Sequence, residues 1–196
     1  MSSIVIKGNT SGQVEIAAPD VAGSTTLTLP TGTGTVITDT APKAGNVIQV
    51  VSTAKTDTFS TTTTGSFFDI TGMSVTITPT SSSSKILVLF DGNVSGNIGA
   101  NGVMIRLLRD STPISIGDVA GNRTRASIGT YNPDANWTLS CGINYLDSPA
   151  TTSATTYKLQ GWIGAGAFYL NRPQTEPDST GVARTASNIT LMEVAG

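Results

Sequence analysis

Residues 85–96 read KILVLFDGNVSG. In the first six, Ile86, Val88 and Phe90 alternate with Leu87 and Leu89, so an extended chain here is apolar on both faces. A strand with no polar face belongs at the centre of a sheet, covered on both sides. Other runs behave differently. Residues 73–79 (MSVTITP) and 187–194 (SNITLMEV) alternate apolar with polar, as strands with one wet face do.

Outward from that run, the pattern repeats. Strands are expected at 46–53 (NVIQVVST), 66–72 (SFFDITG), 102–110 (GVMIRLLRD), 113–118 (PISIGD), 137–147 (WTLSCGINYLD), 155–164 (TTYKLQGWIG) and 167–172 (AFYLNR). Loops fall at 78–84, 117–136, 147–154 and 171–186, where Gly, Pro, Ser, Thr and Asp cluster. Apolar spacing of helical period is missing throughout. Eight or so such strands suit an all-β, antiparallel jelly-roll β-sandwich, which closes two sheets over one core.

The opening forty or so residues form their own region. SIVIKG offers a short strand and NTSG a turn; QVEIAAP places Val14 and Ile16 on one face, and STTLTLP does the same for Leu27 and Leu29. Each such ribbon has two or three apolar residues, too few to offset its ordering entropy, and a lone hairpin is marginal in water. Its apolar side needs cover from the rest of the chain, a sister chain or a different protein. This divides the chain into an extended β-ribbon arm, residues 1–42, and a sandwich, residues 43–196. Val14, Ile16, Leu27 and Leu29 are the candidate docking residues. Free backbone edges let such an arm add to a neighbour's sheet, and Pro30 ends further pairing because it lacks an N–H.

Composition narrows the function classes. The 196 residues carry 11 Lys and Arg against 13 Asp and Glu, and no His. Ser and Thr make up roughly a quarter, far above ordinary usage. With so few scattered cations there is no basic stripe for nucleic acid. No apolar run is long enough to span a bilayer, and the start, MSSIVIKGNTSG, lacks a signal peptide's basic and apolar regions. The expectation is a protein made in a cytoplasm that does not insert into membranes.

Chemistry is hard to assemble from these residues. Without His, the common Ser or Cys triads lack their base. One cysteine cannot build a zinc site, and Cys141 lies in an alternating apolar run, where a packed, inert thiol is expected. Carboxylates at 69, 91, 110, 118, 134, 147, 176 and 178 fall mostly where strands end, where Asp ordinarily caps a turn. Hence no enzyme activity, cofactor or metal is expected. The loop GNRTRASIGTYNPDANW stands apart: Arg123, Arg125, Tyr131 and Trp137 are residue types favoured at recognition surfaces. They serve either a ligand or a subunit contact, the second with Trp137 opening a buried strand. Trp162, Phe168 and Tyr169 lean to the core.

Two segments carry a resemblance. GQVEIAAPDVAGSTTLTLPTGTGTV resembles the opening of tailed-phage virion proteins, fibre-like ones especially. TGSFFDITGMSVTITPTSSSSKILVLFDGNVSG, RLLRDSTPISIGD, YLDSPATTSATTYKLQ and SNITLMEV resemble phage jelly-roll domains similar to the trimeric tumour-necrosis-factor and C1q folds. Together they cover nearly the whole chain, as patterns of strand and turn rather than sharp signatures. The resemblance implies a homotrimer on a virion. The expected function is a trimeric capsid decoration (cement) protein that bridges subunits of the major capsid protein. The alternative is a short tail fibre, attached to a tail protein, that recognises a host surface glycan.

Overall fold

A computed structural model describes residues 3–7, 13–17, 42–97, 99, 102–132 and 134–196. The chain forms two compact units, Met1–Val36 and Ile37–Gly196. In the first, β1 (Ser3–Lys7) and β2 (Gln13–Ala17) pair antiparallel, with Ile4 opposite Ile16 and Ile6 opposite Val14. These are the two strands expected there, and Val14 and Ile16 sit on β2. Leu27, Leu29 and the rest of the expected STTLTLP ribbon lie outside the described residues.

The second unit is a β-sandwich. Its strands are β3 (Val47–Lys55), β4 (Phe59–Thr61), β5 (Phe68–Ile77), β6 (Lys85–Gly96), β7 (Val103–Arg109), β8 (Thr112–Ile114), β9 (Ile128–Thr130), β10 (Leu139–Asp147), β11 (Thr155–Ile163), β12 (Phe168–Leu170) and β13 (Ser187–Val194). Several are pieces of one line. β12 and β13 both lie along the same edge of β6, and β4 and β3 lie outside them. β8 and β9 share one edge of β7. Counted as lines in chain order, one sheet runs first, eighth, third, sixth; the other runs second, seventh, fourth, fifth. All pairings are antiparallel. That order is the jelly roll, two Greek keys closed over one core.

Alternation along β6 decides the core. Ile86, Val88, Phe90 and Val94 are buried at 3% exposure or less, and face Met73, Leu159 and Leu107 of the opposite sheet in one hydrophobic cluster. Each large side chain so buried contributes about 1.5–3 kcal/mol. β6 is central, as its composition requires: β13 and β12 flank one edge and β10 the other. Its expected cover on both faces is not found. Leu87 and Leu89 remain only partly buried, with no described strand over them.

Three phenylalanines close one end of the core. Phe68 stacks on Phe59 at 6.2 Å between centroids and meets Phe168 edge-on at 5.2 Å. Gly161 on β11 makes room: a Cβ there falls 2.6 Å from the Phe68 ring.

Local boundaries differ from the expected ones for identifiable reasons. Residues 66–72 and 73–79 belong to one strand, β5, bulged at Gly72, whose φ of +86° lets two successive residues face outward. β4 and β9 are three-residue pieces in stretches without apolar alternation; the open edges of β12 and β7 recruit them. Trp137 does not open a buried strand. β10 starts at Leu139, and Trp137 is 67% exposed.

Candidate interaction surfaces

The outer face of the first sheet is built in rows, because four antiparallel lines in register place outward residues side by side. One row is Val50, Met192, Leu87 and Leu146. It is apolar from edge to edge, with Val50 at 54% exposure and Leu146 at 48%. The next row is Ser52, Thr190, Leu89 and Asn144, where the Ser52 and Thr190 hydroxyls hydrogen-bond at 2.9 Å. A third holds Ala54, Asn188, Asp91 and Gly142. Gly142 has no side chain to fill its place, so a shallow trough runs beside Leu89 and Asp91. The apolar row is a ridge along that trough.

Charge on this face is confined to one strand. Lys85 and Asp91 lie at the two ends of the outward series 85, 87, 89, 91 of β6, both exposed. Neither makes an ion pair with a described residue. Near Asp91, Cys141 is buried; burial, then Asp91, push its thiol up to about 12, so it stays protonated and unreactive.

On the outer face of the second sheet polar side chains pair with one another beside an apolar pair, Trp162 and Met104. Asp69 accepts hydrogen bonds from Lys158 Nζ (2.8 Å) and Gln160 Nε2 (2.7 Å), which hold its carboxyl below the usual range, Lys158 most strongly. The Arg106 guanidinium donates to Gln160 and stacks over the Phe67 ring at 3.7 Å.

The loop end carries the exposed aromatics. Between β9 and β10, two hydrogen bonds tie residues 132 and 135 to other segments and one closes a turn over 134–136. Asn132 Nδ2 donates to Gly96 O at 2.7 Å, Asp134 accepts from Asn136 N at 2.8 Å, and Thr175 N donates to Ala135 O at 2.9 Å. Tyr131 (57% exposed) and Trp137 stand out from this fixed backbone. Arg123 and Arg125 lie in the segment between β8 and β9, where Arg125 Nε donates to Gly117 O at 2.6 Å. Trp162 and Tyr169 are partly buried, and Phe168 is fully buried.

Most of the described carboxylates are structural. Asp134 caps its own turn, as sequence reading expects, whereas Asp110 accepts from Thr156 N of the distant β11. Asp147 does something else. It is buried at the end of β10 and accepts from Arg109 Nη1 (2.9 Å) and Tyr157 OH (2.6 Å), so it ties one sheet to the other. Burial and the bonded carboxylate push the tyrosine hydroxyl up, which keeps it a donor. Glu193, also buried, accepts from Gln49 Nε2, Thr80 N and Thr80 Oγ1 at 2.6–2.7 Å. Burial pushes its carboxyl up, but these donors outweigh burial and hold it below the usual range. No group of three or more His, Cys, Asp or Glu among the described residues is placed to hold a metal ion.

No family model matches the sequence, and no curated protein matches it. Solved structures similar to the chain include the infectious bursal disease virus Gx strain, at 14% identity and a TM-score of 0.40, covering 96% of this chain and 46% of that one. The VP2 subviral particle of the same virus is similar at 12% identity and a TM-score of 0.42, again covering 96% of this chain and 46% of that one. The chain thus spans under half the length of these structures. The fold assignment rests on the strand order, not on these similarities.

Proposed function

We propose that the chain is a structural component of a virion, and specifically a homotrimeric capsid decoration protein. The observation that carries the reading is the outer face of the first sheet. A closed jelly roll that already buries a full core still presents an apolar row four strands wide. A surface rich in hydroxyls surrounds that row and carries charge only at Lys85 and Asp91, so most of a contact there forms without desolvating ions. The N-terminal segment with Val14, Ile16, Leu27 and Leu29 is the docking element toward the capsid, and trimer linkage multiplies its weak single contact. No step of this role is enzymatic.

The experiment is a count of copies in purified particles, together with an image of labelled protein on them. Hundreds of copies over the head support decoration. A few copies at the tail support the second reading, a short tail fibre. One observation favours that alternative: Tyr131 and Trp137 are large, exposed and held on a pinned loop, as glycan recognition needs. Binding of host surface glycan that vanishes in Trp137→Ala decides for the fibre.

A further inference from the structure

We infer that the outer face of the first sheet pairs with the same face of a second copy about a twofold axis. The axis lies between the two faces, across the strands at Val88. This goes beyond the virion reading and does not depend on it. The face is self-complementary in charge. Such an axis reverses the strand direction, so residue 85 of one copy meets residue 91 of the other, and 87 meets 89. Lys85 then lies over the partner's Asp91, and Asp91 over the partner's Lys85. These are the only two charged side chains that the four lines present on this face, and they are of opposite sign at equal distances from the axis. The ridge of Val50, Met192, Leu87 and Leu146 falls on the partner's Ser52, Thr190, Leu89 and Asn144, the row that walls the trough. A contact in which strands run parallel sets Lys85 against Lys85 and gains none of this.

The size of the face sets the strength expected. Four lines about 4.8 Å apart, each contributing about 20 Å of strand, cover about 400 Å² per copy. Stable free complexes cover about 800 Å² per partner. The pairing is therefore weak between free copies. It strengthens where copies are held together, as linked contacts do. If the chain is trimeric through other surfaces, the pairing links trimers to one another; otherwise it makes dimers.

The test is sedimentation velocity of the full chain across the micromolar to millimolar range, on wild type, Lys85→Asp, Asp91→Lys and the double variant. All substitutions are at exposed positions, and equal melting temperatures confirm that the folds are intact. Each single variant places like charges at both ends and weakens association at least tenfold. The double variant restores it. So does mixing the two single variants, because an all-acidic face then meets an all-basic one. Unchanged association in both single variants overturns the inference, as does a double variant that stays as weak as the single ones. So does mass that never doubles in the wild type. If the single variants associate normally but lose binding to particles, the face belongs to a different protein and the inference also falls. Absence of the protein from particles leaves the pairing untouched and removes only the virion reading.

Discussion

Single atoms decide several features here. Gly161 is required by close approach rather than by backbone angle: the Phe68 and Phe168 rings fill the space a methyl group needs. Gly161→Ala is expected to destabilise the fold by about 1–3 kcal/mol through overpacking, measured as a lower denaturation midpoint with an unchanged slope. Glu193 gives a pH signature. Its folded-state carboxyl titrates below the ordinary value of 4.5, so its contribution is fully present above that pH. The contribution is lost as pH falls through the folded value. Glu193→Gln should cost about 1.5–3 kcal/mol at neutral pH, the worth of hydrogen bonds to a charged acceptor. The gap between the two proteins should close as the solution is acidified below 4.5. A gap that stays constant with pH assigns the residue a packing role instead.

At the scale of elements, the eighth line is interrupted by the excursion of residues 171–186. Asn171 closes it. Buried at a φ of +61°, it donates from Nδ2 to Lys55 O (2.8 Å) and Asp57 O (3.0 Å) and accepts from Ser187 Oγ (2.6 Å). One side chain therefore bridges the gap between β3 and β4 and joins the end of β12 to the start of β13. Asn tolerates the left-handed region better than most residues. Asn171→Ala leaves two carbonyls and a hydroxyl without this partner. It is expected to cost about 1–3 kcal/mol and to open the excursion, so trypsin cuts faster after Arg184, which is 63% exposed. Loss of stability without faster cutting at that site argues against a local closing role.

At the scale of the whole molecule, the proposed virion role divides between the two units. Removing residues 1–42 is expected to leave a folded, soluble oligomer that no longer joins particles. Leu27→Asp and Leu29→Asp are expected to weaken incorporation while the melting temperature stays the same. Equal losses in both measurements mean that those leucines belong to the sandwich core, and the docking reading fails. With a net charge of only −2, long-range steering contributes little to assembly.

Much of the sandwich was legible from alternation alone. The period of two marked β6, β10, β11 and β13, picked out their inward residues and made the centrality of KILVLF a necessity. The reason is local: successive side chains of a strand point to opposite faces, so sequence order sorts wet from dry. The scarcity of chemistry was equally plain, because a chain without His and with one Cys lacks the parts. Tertiary structure alone decided the rest. Three-residue strands such as β4 and β9 carry too little pattern to be seen and exist because a neighbouring edge is open. Trp137 became exposed because pinned turns start β10 two residues late. Alternation shows that a strand has two apolar faces, but not which layers exist to cover them. Only the packing of distant segments left Leu87 and Leu89 facing outward, and with them the surface on which the functional reading turns.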